Sequence, residues 1–177
     1  QKWYSFAEQW SLQKQLSDLN PDLVHFTMPQ QPLLWTRPAV TTIHDTILIR
    51  FSNIDTSNQI VYKIKQAIFT QLVRIVIHRS KQIITPTQFV KNDLLSFAGQ
   101  RYGDKFTVTL EAGEPSSEPP EAMERFNGKR FFFFVGNAFP YKNVGRIVDA
   151  FAEFKKTHPE TLLLLAGKKE FFYEQLE

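Results

Sequence analysis

The sequence contains no cysteine, which excludes disulfides and thiolate metal sites but leaves the compartment open. No uninterrupted apolar run reaches the roughly 18 residues that a membrane-spanning helix needs. No signal-peptide pattern opens the chain, and no short period repeats along it. Dense Lys/Arg clusters are also missing: 21 basic residues stand against 18 acidic ones, the net charge is +3, and the excess is spread out. A nucleic-acid footprint is therefore not expected. What is present is ample core material, 42% hydrophobic and 14% aromatic residues, which excludes global disorder. At 177 residues the chain can hold one large domain or parts of two.

Hydrophobic patterning alternates between helical and strand periods. "KWYSFAEQWSLQKQLSDL" reads as an amphipathic helix ended by Asn20-Pro21, with Trp3 and Trp10 taken as core. "DLVHF" and "AVTTIHD" are strands. A long helix follows over about 57–80, its apolar face expected through Ile60, Ile64, Ile68, Leu72, Ile75 and Val76. "QIIT" is a strand, and Thr85-Pro86 is read as an N-cap with proline at the first helical position. "KFTVTLEAG" is a strand stopped by Gly113. The stretch "EPSSEPPEAMERFNGK" lacks apolar period, carries three prolines and reads as a linker. "RFFFFVG", a helix from about Lys142, and "ETLLLLAG" complete a βαβ unit, with the phenylalanines expected in the core. The fold class is α/β with two parallel sheets, one in residues 1–113 and one in 129–177, joined by a linker over 114–128.

In parallel sheets, ligands gather beyond the C-terminal strand ends. Gly136 stands at one such end, before "NAFPYKN" and a helix whose first N–H groups and partial positive charge suit an anion. Lys142 adds a full charge there, and the geometry suits a diphosphate. It is neither a Walker A loop nor a G-x-G-x-x-G fingerprint, and a plain turn with a solvated lysine is the competing account. His44-Asp45 and His25 lie at strand ends and suit hydroxyl contacts, while His78 and His158 read as structural. A metal-dependent phosphohydrolase of His-Asp type is the rival enzyme class, but the remaining histidines do not group as such a site requires. No metal site is expected.

The order and spacing of "PDLVHF", "AVTTIHD", "IITPTQFVKNDLL", "KFTVTLEAG", "FFFFVGNAFPYKN" and "LLLLAGKK" resemble the family-4 type (group 1) glycosyltransferases of the GT-B fold. The resemblance implies two Rossmann-like domains, the N-terminal one for the acceptor and the C-terminal one for a sugar nucleotide. It implies a diphosphate grip at Gly136, Asn137, Lys142 and Asn143, with Asn137 standing where the family carries arginine. An amide supplies neither charge nor a bidentate fork. His44 is implied as the histidine that contacts the transferred sugar, with Lys142 as its catalytic partner on the departing diphosphate. Gly113 is implied at a close approach to the donor, and His25, Asp45 and Thr85 on the acceptor or sugar side.

The activity implied is transfer from a nucleotide diphosphate sugar to an acceptor hydroxyl with retention, in polysaccharide or glycolipid assembly. No cofactor is implied; the nucleotide sugar is a substrate. Partners would be that donor and a glycan or lipid-linked acceptor, in the cytoplasm or at the inner face of a membrane. Trp3, Trp10 and nearby lysines are the lipid-contact alternative to a core role. The family's paired glutamates are expected beyond Glu177 and its glycine-rich first loop before Gln1, so the 177 residues alone are expected to be inactive. The alternative to an enzyme is a non-catalytic α/β binding module with a degenerate sugar-nucleotide site.

Overall fold

A computed structural model describes residues 6–51, 59–115, 117, 123–168 and 171–176. Trp3 lies outside them. The chain divides into two compact units, one of residues up to Gly113 and the other from Glu114 onward.

The first unit is built on four parallel strands, β1 (Val24–Phe26), β2 (Ala39–Thr42), β3 (Gln82–Thr85) and β4 (Phe106–Val108), adjacent in chain order. Val24 pairs with Ala39, Val40 with Gln82, and Ile83 with Phe106. Each parallel step needs a crossover. Helix α3 (Gln59–Arg79) carries β2 to β3, and α4 (Gln88–Ala98) carries β3 to β4. Helix α1 (Phe6–Leu19) precedes β1, and a short α2 (Ile47–Arg50) stands between β2 and α3.

The core joins Ile43, Val73, Val76, Ile77, Ile83, Val90, Leu94, Leu95 and Phe106. This corrects the expected face of α3. Leu72 and Val76 meet the core as expected, but Val73 and Ile77 join them on the sheet side, whereas Ile60, Ile64, Ile68 and Ile75 stay exposed. The helix is apolar on two sides, and periodicity alone does not say which side meets the sheet. Trp10 is likewise 71% exposed rather than core. Helix α1 is held instead by Leu16 against the Phe26, Trp35 and Ala39 cluster and by Gln9. The Gln9 amide donates to Gln31 O and accepts from Leu33 N.

Helix ends follow their chemistry. Thr87, not Thr85, caps α4: its hydroxyl accepts from Val90 N at 3.2 Å, and Pro86 stands ahead of the cap. The last carbonyls of α3 have no donor within the helix. Lys105 supplies one, its Nζ donating to His78 O at 2.6 Å and Ser80 O at 3.0 Å. The buried Thr41 and Ser80 hydroxyls satisfy each other at 2.8 Å.

In the second unit β5 (Phe131–Val135) and β6 (Leu162–Ala166) pair in parallel, Phe131 opposite Leu162. Helix α5 (Val144–Lys155) packs on one face, where the Phe132 ring lies 5.4 Å from Phe154 and 6.3 Å from Phe151. A four-residue α6 (Phe171–Glu174) follows. The phenylalanine run is not the closed core expected: Phe131, Phe132 and Phe133 are 46%, 54% and 60% exposed. Among the described residues the sheet has two strands, too few to bury both faces.

Candidate functional site

In the first unit, the residues after β2 and β4 meet at the C-terminal edge of the sheet. His44 lies two residues beyond β2 and Glu111 three beyond β4. Glu111 Oε1 sits 2.6 Å from His44 Nδ1, and Thr27 O sits 3.0 Å from His44 Nε2. Both ring nitrogens therefore face oxygen acceptors, and the ring is fixed in plane and direction while remaining half-exposed.

Asp45 is turned elsewhere. Its carboxylate accepts from Ile47 N at 2.9 Å and opens α2, so the two residues of "HD" diverge. Just beyond, Arg50 grips Asp93 with two hydrogen bonds, at 2.6 Å from Nε and 2.5 Å from Nη2, and Thr46 Oγ1 also donates to Asp93. The guanidinium hydrogen bonds hold the Asp93 carboxyl below its ordinary range, against a smaller opposing effect of burial.

The remaining first-unit candidates separate. His25 Nε2 is 2.8 Å from Thr42 Oγ1 on the neighbouring strand, one strand away from His44. Thr85 is fully buried, with its hydroxyl directed to Thr87 O at 3.4 Å, so solvent does not reach it. Gly113 is exposed; a Cβ there would meet nothing within 4 Å, so the fold itself does not require glycine at that position.

In the second unit the strand ends converge tightly. Gly136 has φ +147, in the region that favours glycine, and its N–H donates to Ala166 O at 2.9 Å. Its carbonyl accepts from Tyr173 Oη at 2.9 Å. Gly167, at the end of β6, approaches so closely that an added Cβ would lie 2.0 Å from Gly136 O. Asn137 follows with a side-chain oxygen that is buried and has no partner.

The turn Pro140–Lys142 then leads to Asn143, left-handed at φ 55 and ψ 36, which is the N-cap of α5. Its side chain makes no capping hydrogen bond, so the cap residue leaves the first N–H groups of α5 to other acceptors. Lys142 Nζ lies 5.5 Å from the Tyr141 ring centre and has no carboxylate partner among the described residues. Arg146, one helical turn on, lines the same hollow of about 550 Å³ as Lys142 and Asn143. Gly136, Asn137, Lys142 and Asn143 are thus gathered at one strand-to-helix mouth.

Two family models match, one on each unit. Glycosyltransferase Family 4 matches residues 1–108, and Glycosyl transferases group 1 matches residues 117–177. The chain belongs to glycosyltransferase family 4. The mixed α/β architecture of this glycosyltransferase, with a parallel sheet in each unit, is that of Rossmann-like GT-B domains. Its general role is glycosyl transfer, which entails binding a sugar donor and an acceptor. No curated protein matches the chain.

Three features of the glycosyltransferase escape the sequence. Glu111 is visible as a carboxylate near Gly113, but its pairing with His44 spans 67 residues and depends on strand order. Arg146 is visible in sequence as a cation four residues after Lys142, but Lys142 precedes the helix that carries Arg146, so helical spacing does not place the two together. Gly167 carries the commonest ending of a strand, and nothing local tells a close approach from a plain turn.

Proposed function

We propose that this glycosyltransferase moves a sugar from a nucleotide diphosphate sugar to an acceptor hydroxyl, with retention at the anomeric carbon, in polysaccharide or glycolipid assembly. The observation that carries the proposal is the mouth after β5. A left-handed N-cap Asn143 whose side chain makes no capping bond, the N-terminus of α5 and a Lys142 with no carboxylate partner among the described residues together form a preorganised positive field. A departing diphosphate gains negative charge as the glycosidic bond breaks, and such a field lowers that barrier without reorganising. Arg146, on the first turn of α5, is a second cation that shares a hollow with Lys142 and Asn143, although Asn137 does not line it.

On the first unit, His44 is the group proposed to meet the transferred sugar. Glu111 holds Nδ1, and a sugar hydroxyl would take the place of Thr27 O at Nε2. The leaving phosphate accepts the acceptor's proton, so no carboxylate base is assigned, and neither a metal nor an organic cofactor is invoked. The proposed acceptor is a glycan or lipid-linked glycan, met in the cytoplasm or at the inner face of a membrane.

Calorimetric titration with uridine diphosphate and guanosine diphosphate tests the grip. Binding of one of them is expected, with Lys142→Ala weakening it about tenfold or more, the scale of one charge-assisted hydrogen bond. Binding unchanged in Lys142→Ala would remove the diphosphate grip. The buried, unpartnered Asn137 oxygen favours one second account, a binding module whose nucleotide site has degenerated. That account takes over if neither diphosphate binds.

A further inference from the structure

Helix α3 carries an apolar face that is exposed to solvent. Ile60, Ile64 and Ile68 recur every four residues and are 70%, 56% and 65% exposed, and Ile75 extends the same side at 38%. With about 100° per residue these four side chains fall within one stripe along the helix. Ile60, Ile64 and Ile68 are not part of the core cluster of Val73, Val76 and Ile77, while Ile75 borders a hollow that it shares with Val76 and Trp35. Isolated exposed isoleucines are ordinary, but four in register on one helix are not.

The charges around the stripe are of one sign. Residues 59–79 contain no Asp or Glu, while Lys63, Lys65, Arg74 and Arg79 are all cationic. By the same angular step, Lys63 and Arg74 flank the stripe on one side and Lys65 and Arg79 on the other. Lys63 and Lys65 are exposed and have no ion-pair partner among the described residues. Arg74 lies over the Phe97 ring at 4.6 Å, and Arg79 donates to Leu33 O, so both are anchored at the surface with their charge intact. Exposed Leu33 lines a hollow together with Ile75 and Arg79 at the end of the helix.

We propose that the outer face of α3 lies on an anionic lipid surface. Its isoleucines would enter the boundary between headgroups and acyl chains, and its lysines and arginines would pair with lipid phosphates. The helix is about 32 Å long and, with four cations on its flanks, would lie in the interface. No helix of the described residues is long and apolar enough to cross a membrane. The complementarity selects lipid phosphate over a zwitterionic surface, since hydrophobic entry alone would not require an acid-free helix. This inference stands on α3 alone and does not depend on the diphosphate grip.

Vesicle flotation of the chain tests it, with phosphatidylcholine alone and with added phosphatidylglycerol, at low and high salt. Flotation is expected with the anionic vesicles and is expected to fall with salt. Ile64→Ser/Ile68→Ser should lower partitioning at least about tenfold. Lys63→Gln/Lys65→Gln should lower it roughly fivefold per lysine, on anionic vesicles only. All four positions are exposed, so circular dichroism and the unfolding midpoint should be unchanged.

Equal flotation on both vesicle types, or flotation indifferent to both double substitutions, overturns the proposal. Loss of flotation through Trp10→Ser with the isoleucine variant unaffected moves the contact to α1 and also overturns it. A dimer by light scattering that dissociates on Ile64→Ser/Ile68→Ser, without flotation, assigns the face to a second copy instead.

Discussion

Replacing Gly167 with alanine should open the second unit from the strand ends inward. The added methyl would sit 2.0 Å from Gly136 O, and 2.7 and 2.8 Å from the Tyr173 ring and hydroxyl. Ordinary contact between carbon and oxygen requires more than 3 Å, so one of these groups must move by roughly an ångström. A tyrosine can rotate, but the carbonyl is backbone and belongs to a turn tied to Ala166 O. Overpacking of this kind costs about 1–3 kcal/mol, and losing the bond from Tyr173 Oη to Gly136 O adds about 1 kcal/mol. The expected destabilisation is therefore about 2–4 kcal/mol, or roughly thirty- to several-hundred-fold in the opening equilibrium.

The readout must be local, because the chain has two units. The three tryptophans, at positions 3, 10 and 35, all precede β2, so their fluorescence does not report the second unit. Hydrogen exchange read by mass spectrometry on Phe131–Val135 and Leu162–Ala166 does. Exchange there should accelerate by the stated factor while the tryptophan midpoint stays fixed. Gly113→Ala, whose Cβ meets nothing, is the matched control and should change stability by less than about 0.5 kcal/mol. Equal protection in Gly167→Ala and Gly113→Ala would refute the close approach of the two strand ends. Persistence of the defect in Gly167→Ala/Tyr173→Ala would show that the carbonyl, not the ring, is the obstacle.

Further outcomes follow from the first unit, where Trp35 is a buried reporter. Leu94→Ala removes a fully buried side chain and should cost about 2–5 kcal/mol in denaturant unfolding followed by fluorescence. Thr87→Ala removes the cap on Val90 N and should cost about 1 kcal/mol, whereas Thr85→Val should leave the cap intact. The Asp93 carboxyl is held below its ordinary range when folded, so its stabilising effect is complete above the unfolded value near pH 4. That effect declines as pH falls from there through the folded value. In Asp93→Asn this acid-side decline should be reduced, which a pH series of fluorescence-detected melts will show; an identical decline would remove Asp93 from the account.

The sheet of the first unit was legible because short β-branched runs such as "AVTT" and "QIIT" alternate with a long helical pattern, and parallel pairing follows from that alternation. The mouth after β5 was legible for a similar reason: a glycine at a strand end, a lysine and a helix start are all local signals. What escaped depends on what packs against what. The four phenylalanines are apolar wherever they fall, and their exposure is decided by how many strands and helices surround them. The two stripes of α3 are equally apolar in sequence, and the choice between them is made by the sheet. Thr85 and Thr87 both precede helical residues; the cap goes to the one whose hydroxyl reaches Val90 N.

Lys105 has a consequence for how the protein should be handled. Its ammonium gathers the carbonyls at the end of α3, a position that a neutral group fills poorly. Cyanate in aged urea converts lysine amines to uncharged ureas once the chain is open. A molecule modified at Lys105 would return with those carbonyls short of a charged donor. Refolding from guanidinium should therefore restore the native melting point more fully than prolonged storage in urea.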